Sequence, residues 1–351
     1  MSRELLVVNR LSDRGGAFVR ALRDKGINLA DLWSDRDLAL SLGVKRALWQ
    51  RGKDLLNSSW PEEELDRCAA VGVRTIFFGE RDYPSGLMDT DDPPPVLYLR
   101  GNLKDSLSSV SVVGTRRCTP YGTQVAGSLG RKLAEADISV VSGGASGVDG
   151  AAHSGALDGG GYTLAVLGTG VDVVYPRGHD GLFRSILRNG GGLLSRFPMG
   201  EIGRRWNFPK RNGMIAGLAS QVVVVESPVT GGSMITARIA GEIGREIWAV
   251  PGPIDREVCK GSNRLIFDGA QPLWDLDHFV HLLSGGRQMD LFEEKGISPV
   301  LSGVKRSGKV TLDELASRVG LSVPEVMASL VSLEMEGKVY RSGPGRWSAV
   351  P

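Results

Sequence analysis

The sequence predicts an α/β protein: an extended Rossmann-like, doubly wound, mostly parallel sheet with a small helical N-terminal domain and a C-terminal winged-helix domain. Three observations support this prediction. Short β-branched runs alternate with helix-like stretches through the middle of the chain, which is typical of parallel strands buried on both faces. The first 70 residues show helical periodicity. Two amphipathic helices and a hairpin pattern end the chain.

Length, charge and cysteine content narrow the class of protein. The chain has 351 residues, which predicts two or three domains. Its 42 lysines and arginines nearly balance 40 aspartates and glutamates, so attraction to a polyanion must come from a local cluster. The three cysteines are far apart, which disfavours a disulfide framework and a structural zinc site. Without a cleavage-type signal or a run of transmembrane length, we expect a cytoplasmic protein with no membrane partner.

The first predicted element is a helical domain at residues 1–70 that resembles a SAM or helix-hairpin-helix module. Apolar residues recur there at helical spacing, and Gly26 and Gly43 interrupt the pattern. An extended linker or strap follows at residues 71–107. Its three successive prolines, 93–95, cannot continue a helix and favour an extended path.

The central element, residues 108–283, is the predicted Rossmann-like domain with six β-branched runs. Ligands of such sheets bind beyond the carboxyl ends of the strands. The six ends expected at one edge are Gly114-Thr115-Arg116, Ser142-Gly143-Gly144, Gly168-Thr169-Gly170, Ser195-Arg196, Glu226-Ser227 and Pro251-Gly252. These ends are rich in glycine and hydroxyl groups, and the helices that follow them offer amides to an anion. The edge therefore predicts an anion-binding site.

The last predicted elements are a polar linker at residues 284–296 and a winged-helix domain at residues 297–351. Thr311 and Ser322 are the expected N-caps of its two amphipathic helices. A β-hairpin is expected around Gly343-Pro344-Gly345.

The charge of this last domain argues against recognition of DNA by its second helix. Its second helix and the turn after it carry Glu325, Glu334 and Glu336 against Lys338 alone. A DNA-reading helix needs the opposite charge. We therefore expect the domain to contact protein, to regulate, or simply to pack.

The segment RRWNFPKRN at 204–212 combines four cations with two aromatic rings after the fourth predicted strand. The cations that can pair with phosphates are Arg204, Arg205, Lys210 and Arg211. Trp206 and Phe208 offer faces on which unpaired bases can stack. This combination favours single-stranded nucleic acid. The alternative is that the two rings anchor the core and the cations form a solvated face.

Several kinds of enzyme site are disfavoured by the motifs. The first strand leads into GTRRCTPYG rather than GxGxxG, and the second ends in Ser142 rather than an acid, which argues against a dinucleotide site. No P-loop motif or catalytic triad is found. Asp149 and His153 lie four residues apart on one predicted helix face without a third metal ligand, so we expect them to orient the preceding loop or cap the helix. We expect no metal and no cofactor.

One enzyme alternative remains open at the Gly231-Gly232-Ser233 loop and Glu226. The loop opens a helix and can hold a phosphate, and the carboxylate could act on a ribosyl group. It resembles the phosphate loop of nucleotide phosphoribohydrolases, but the glutamate that follows their loop is absent here. A nucleotide phosphoribohydrolase-like enzyme and a nucleotide-binding sensor are therefore kept as alternatives.

Six ordered motifs span the central domain: VSVVGTR at 110–116, SGGASGVDGAAHSGAL at 142–157, LGTGVDVVYP at 167–176, FPKRN at 208–212, VVVVESPVTGGSMITARIAGEIGREIWAVPG at 222–252 and GSNRLIFDGA at 261–270. Together they resemble the bacterial DNA-processing family DprA, also called Smf. The resemblance implies an extended Rossmann-like domain that binds single-stranded DNA, usually as a homodimer. It also implies a role in loading the RecA recombinase onto DNA during natural transformation, without a catalytic step.

The resemblance further implies which residues bind DNA. Arg116 and the Lys210-Arg211-Asn212 loop would form a pocket for DNA phosphates, with the Gly-Gly-Ser loop near it. The complete set of DNA-binding residues that we expect is Gly114, Thr115, Arg116, Ser142, Gly143, Arg205, Phe208, Lys210, Arg211, Asn212, Gly231, Gly232 and Ser233.

Four positions depart from the family pattern: Gly144 replaces leucine, Arg196 glutamate, Gly213 arginine and Ala219 serine. The changes at Arg196 and Gly213 are opposite in sign, which suggests that the family's glutamate and arginine face each other and were lost together, because an unpaired buried charge is costly. On this hypothesis, Gly213→Arg should lower the melting temperature or change DNA affinity through repulsion from Arg196.

Overall fold

The computed structural model describes residues 2–12, 14–104, 108–284, 299–343 and 345–350. The chain forms two compact units, Met1–Gly286 and Arg287–Pro351. The predicted linker 284–296 falls, after Ser284, outside the described residues, as does Pro344 of the predicted hairpin. No helix in the described part of the chain is long and apolar enough to span a membrane.

Six helices are described between residues 2 and 70 of the first unit, as the apolar periodicity predicts. They are α1 (Ser2–Leu11), α2 (Gly15–Asp24), α3 (Leu29–Ser34), α4 (Arg36–Ser41), α5 (Arg46–Leu56) and α6 (Trp60–Ala70). Gly26 and Gly43 follow α2 and α4 with φ of +68° and +83°, the left-handed region that glycine adopts without strain. Leu5 and Leu32 of these helices share one hydrophobic core with Leu97 and Leu194 of the sheet. The helices are therefore packed onto the sheet.

Residues 71–107 do more than connect two domains, because they supply two strands of the sheet. β1 (Val73–Phe77) and β2 (Val96–Gly101) pair antiparallel, and β2 pairs antiparallel with β6 (Gly192–Ser195). The prolines at 93–95 end just before β2, whose apolar run from 96 to 99 is buried. Proline excludes a helix here but does not exclude a strand that begins after it.

Within the described residues, the large sheet has nine strands in the order β1-β2-β6-β5-β4-β3-β7-β8-β9. All neighbours from β6 to β9 are parallel, which confirms the doubly wound, mostly parallel fold. The remaining strands are β3 (Ser109–Val113), β4 (Ser139–Ser142), β5 (Thr163–Leu167), β7 (Gln221–Val224), β8 (Glu246–Ala249) and β9 (Gln271–Pro272). From β3 the chain adds β4, β5 and β6 on one side of the sheet, and it then returns to add β7, β8 and β9 on the other side. The topological switch point, where such folds bind ligands, therefore lies between β3 and β7.

After β3, the described part of the first unit contributes seven α-helices that pack around this sheet: α7 (Pro120–Glu135), α8 (Val148–Asp158), α9 (Asp180–Arg188), α10 (Asn207–Gly217), α11 (Gly232–Glu242), α12 (Lys260–Phe267) and α13 (Leu276–Leu283). α7 and α8 approach closely through glycine. A Cβ at Gly155 would lie 2.0 Å from the carbonyl oxygen of Gly127, so only glycine fits there. This close packing positions the loop before α8, which reaches the switch point.

The second unit has the helix and hairpin order of a winged helix. Its elements are α14 (Pro299–Ser307), β10 (Val310–Thr311), α15 (Leu312–Val319), α16 (Val323–Met335), β11 (Val339–Gly343) and β12 (Arg346–Ala349), and its sheet order is β10-β12-β11. Thr311 forms a capping box with Glu314. The Glu325 carboxylate accepts hydrogen bonds from the backbone and hydroxyl of Ser322, at 2.9 and 2.6 Å. The two predicted N-caps are thus the observed helix starts.

Candidate nucleic-acid interface

A cavity of about 370 Å³ opens at the switch point between β3 and β7. It is formed by the turn after β3, the loop before α8, the start of α10 and the first turn of α11. Nine of the thirteen expected DNA-binding residues line it: Gly114, Thr115, Arg116, Phe208, Arg211, Asn212, Gly231, Gly232 and Ser233. These residues lie up to about a third of the chain apart in sequence, and the parallel topology brings them to one edge.

Arg116 and Phe208 form the accessible face of this cavity. The guanidinium carbon of Arg116 lies 4.5 Å from the centre of the Phe208 ring. The centre of the Tyr175 ring lies 5.5 Å from the centre of the Phe208 ring, and the planes of the two rings are tilted against each other. Arg116 is exposed and Phe208 is half-buried. Trp206 is 53% exposed and is therefore not a core anchor, contrary to the alternative for this ring. A cation held over a ring can contact a phosphate while the ring contacts a base.

Arg211 is buried, in contrast to its expected place among phosphate-binding cations. Its Nη2 donates to the carbonyl oxygen of Gly143 at 3.0 Å, and its Nη1 donates to Oδ1 of Asn212 at 3.2 Å. Burial lowers the pKa of Arg211 to about 10. The helix α10 turns this side chain inward, so Arg211 forms the floor of the cavity while Arg116 remains at its mouth.

Asp149 is the buried carboxylate near Arg211. Burial raises the pKa of the Asp149 carboxyl, whereas the Arg211 guanidinium and a 3.3 Å hydrogen bond from the Ala145 amide favour the ionised form. A Cβ at Gly143 would lie 2.1 Å from Nη1 of Arg211 and 2.6 Å from Oδ2 of Asp149, so the two groups crowd the same glycine. Asp149 therefore orients the loop before α8, as expected, and compensates the buried cation.

His153 does not act with Asp149, although both lie on α8. Its Nδ1 lies 2.7 Å from Oγ1 of Thr163 on β5. Burial lowers the pKa of His153 to about 3, so the ring is neutral at physiological pH. Among the described residues, no group of three or more histidines, cysteines or carboxylates could hold a metal ion.

Three of the expected hydroxyl and amide ligands hold the walls of the cavity instead of projecting into it. The Ser142 hydroxyl donates to the carbonyl of Val112 at 2.6 Å, inside the sheet. Asn212 Nδ2 donates to the carbonyl of Gly232 at 3.0 Å, and Ser233 Oγ donates to Ser227 Oγ at 2.7 Å. The Asn212 bond joins α10 to the start of α11, and the Ser233 bond joins α11 to the loop after β7. Gly232 and Ser233 of the first turn of α11 line the cavity, and the free amides of a helix start suit an anion.

Gly147 is a further residue of this site that the sequence interpretation did not select. It adopts φ +80° just before α8, and a Cβ there would lie 2.4 Å from the carbonyl oxygen of Thr115 and 2.8 Å from that of Arg116. The loop before α8 therefore touches the backbone of the turn that carries Arg116. The sequence signal is the glycine of SGVDG, but its role depends on a contact with a residue 32 positions earlier.

Known proteins provide an independent comparison for this site. Residues 74–284 match the family model described as DNA recombination-mediator protein A, and residues 307–345 match the DprA winged helix domain. The chain belongs to the DprA family. These matches confirm the family resemblance, the Rossmann-like fold and the winged-helix domain.

Curated DprA relatives match most of the chain. Protein Smf of Synechocystis sp. is 32% identical, over 90% of this chain and 90% of its own length. The putative DNA processing protein DprA of Mycobacterium tuberculosis is 38% identical, over 85% of this chain and 84% of its own.

Two solved DprA structures share the fold. DprA of Streptococcus pneumoniae has a TM-score of 0.68 and 28% identity, and the match covers 80% of this chain and 97% of that one. DNA processing protein A of Helicobacter pylori, whose structure concerns its single-stranded DNA binding mode, has a TM-score of 0.55 and 29% identity. That match covers 60% of this chain and 95% of the other.

Arg205 and Lys210, also expected at the DprA site, do not line the cavity. Arg205 is exposed in the turn before α10. Lys210 is half-buried and lines a neighbouring groove with Trp206. The start of α10 separates this groove from the cavity, because Phe208 and Arg211 of the same helix line the cavity.

Glu226, the carboxylate of the enzyme alternative, is buried and already engaged. It accepts hydrogen bonds from the amide and the hydroxyl of Thr119, at 2.8 and 2.7 Å. Its charge therefore lies at the N-terminus of α7, where a negative group stabilises the helix. Glu226 does not line the cavity. Its position favours a structural role within the DprA fold.

The structure shows the surroundings of three residues that depart from the DprA pattern. Arg196 is buried and its Nη2 pairs with Oδ2 of Asp92 at 2.7 Å, so its charge has a partner that the sequence interpretation did not identify. A Cβ at Gly213 would meet no atom within 4 Å. The expected repulsion between Arg196 and an arginine at 213 stays a prediction. Gly144 has φ +65°, which a leucine would rarely adopt.

Proposed function

We propose that this protein binds single-stranded DNA at the switch-point cavity and helps to load a RecA recombinase onto it during natural transformation, without a catalytic step. The observation that carries the proposal is the exposed Arg116 held over the Phe208 ring beside the first turn of α11. The H. pylori DprA, with the same fold, is a single-stranded DNA-binding protein by its description. RecA and a homodimeric state are part of the proposal through the family resemblance.

The arrangement of Arg116, Phe208 and the start of α11 supports binding of a single strand. A phosphate at the cavity contacts the Arg116 guanidinium and the first-turn amides of α11, and an adjacent base stacks on Phe208. Bases in a duplex are paired and stacked on each other, so their faces are not available to the ring. The site should therefore prefer a single strand.

The enzyme alternative is less well supported, because the buried Glu226 carboxylate is bonded to Thr119. A nucleotide sensor remains the other alternative, since a cavity of this size and chemistry can also accept a mononucleotide.

The discriminating experiment measures binding of labelled single-stranded and double-stranded oligonucleotides and of a mononucleotide by fluorescence anisotropy, and assays release of free base from nucleotides. We expect preferential binding of the single strand and no released base. Tight mononucleotide binding without DNA binding would replace the proposal with the sensor, and released base would replace it with the enzyme.

Removal of the second unit should leave single-strand affinity within about twofold of the full chain. The cavity belongs to the first unit, Met1–Gly286. In the second unit, the charged residues of α16 and of the turn after it are mainly glutamates, which repel phosphates. The measurement compares anisotropy titrations of the full chain and of residues 1–286. A loss of tenfold or more would show that the winged-helix domain takes part in binding.

A further inference from the structure

A second groove lies on the other side of the start of α10, between the N-terminal helices and the segment that follows β6. It has a volume of about 750 Å³. One wall includes Asn9, Arg10, Arg51 and Asp54 of α1 and α5, and the other includes Arg196, Glu201, Arg204, Trp206 and Lys210. We call this space the interhelical groove. Lys210 of α10 lines this groove and Phe208 and Arg211 of the same helix line the cavity, so the two spaces lie on opposite sides of the start of α10.

The interhelical groove is strongly basic. Five of its lining residues are arginine or lysine, whereas Asp54 and Glu201 are its lining acids. The Arg196 charge is compensated by Asp92 outside the groove, so Arg10, Arg51 and Arg204 supply the accessible guanidinium groups. The Arg204 guanidinium lies 3.3 Å from the Glu201 carboxylate. Arg51 is exposed and forms no ion pair with another described residue. The basic residues of the groove therefore reach from the segment before α10 to α5.

Trp206 supplies an aromatic surface within this basic groove. The side chain is 53% exposed, and the Arg204 guanidinium carbon lies 5.7 Å from its ring centre. An exposed tryptophan offers a large, rigid aromatic face on which an unpaired base can stack. Rings beside cations are the combination by which proteins bind unpaired bases and their phosphates.

The walls of the groove are joined by hydrogen bonds between distant segments. Asn9 Nδ2 donates to the carbonyl oxygen of Arg196 at 2.9 Å, and the fully buried Glu64 accepts from the Met199 amide at 2.8 Å. Arg196 also pairs with Asp92, which accepts from the Ala17 amide at 2.9 Å. The groove is thus fixed before any ligand binds, which lowers the entropic cost of binding.

We propose that the interhelical groove is a second binding segment for single-stranded nucleic acid, along which a strand leaving the cavity passes over Trp206 to Arg51 and Arg10. The N-terminal helices then form part of the DNA-binding surface. The proposal rests on the proposed function, because it extends the path of the same strand. An acidic peptide would satisfy the cations, but it would make no use of the exposed ring or of the position of the groove next to the cavity across α10.

The test titrates oligonucleotides of increasing length against wild type, Arg51→Ala and Trp206→Ala. A strand just long enough to occupy the cavity should bind all three proteins equally. With longer strands the wild type should gain affinity, and Trp206→Ala should lose about tenfold. Arg51→Ala should weaken binding of longer strands and reduce the slope of log affinity against log salt by about 0.7.

Arg46→Ala is the matched control, since Arg46 is an exposed arginine of α5 that does not line the groove. It should bind every length as the wild type does. An equal loss in Arg46→Ala would attribute the effect to overall charge and overturn the proposal.

Arg116→Ala separates failure of the groove from failure of the proposed function. If Arg116→Ala weakens binding of every length while Arg51→Ala and Trp206→Ala bind every length normally, the groove is not a binding segment and the cavity remains the site. If Arg116→Ala also binds normally, the proposed function itself fails.

Discussion

Asp149→Ala should lower the free energy of unfolding by about 3–5 kcal/mol, because it leaves the buried Arg211 cation without its carboxylate. Both side chains are buried, and burial already lowers the pKa of Arg211 to about 10. The variant also loses the hydrogen bond that the Ala145 amide donates to Asp149. The measurement is urea unfolding of residues 1–286.

A double-mutant cycle identifies the cause of this loss. Arg211→Met removes the cation at similar length, so Asp149→Ala combined with Arg211→Met should be more stable than the sum of the single changes predicts. A coupling free energy near zero would show that Asp149 does not compensate Arg211. In that case the loss would be a packing effect alone.

Gly147→Ala should be the most damaging small substitution at the switch-point cavity. Its φ of +80° strains any residue with a Cβ by about 1–3 kcal/mol. The new Cβ would also meet the Thr115 carbonyl oxygen at 2.4 Å. The turn that carries Arg116 must then move. We expect single-strand affinity to fall by about tenfold to a hundredfold, the effect of losing a charged hydrogen bond to phosphate.

Gly181→Ala provides the control for Gly147→Ala. Gly181 lies in the first turn of α9, where a Cβ would meet no atom within 4 Å and φ is not positive. It should keep both stability and DNA affinity. Retention of wild-type affinity in Gly147→Ala would contradict the contact between the two loops that we assign to this glycine.

The sequence predicted the central sheet well because each strand is a continuous apolar run, and burial on both faces leaves little other use for such a run. It also predicted that the strand ends would meet, since parallel topology requires this. It did not predict β1 and β2, because the prolines at 93–95 gave a stronger signal than the short apolar run after them.

The details of the site depend on contacts that sequence spacing does not contain. Arg211 is chemically suited to phosphate, and only the packing of α10 against the loop of Asp149 shows that it is buried. Glu226 is likewise suited to catalysis, and its engagement by Thr119, 107 residues earlier, is visible only in the fold. Residue type gave the chemistry of the edge, and tertiary packing decides which groups are accessible.

The most direct test of the cavity as a DNA-phosphate site is the salt dependence of single-strand affinity for wild type, Arg116→Ala and Arg188→Ala. Arg116 is exposed, so its removal should lower stability only by the contact with the Phe208 ring, about 1 kcal/mol or less. Arg188 is an exposed arginine at the end of α9 that does not line the cavity, and it serves as the charge-matched control. We predict that Arg116→Ala lowers the slope of log affinity against log salt by about 0.7, while Arg188→Ala keeps the wild-type slope. Equal slopes in all three proteins would contradict the assignment of the phosphate site to this cavity.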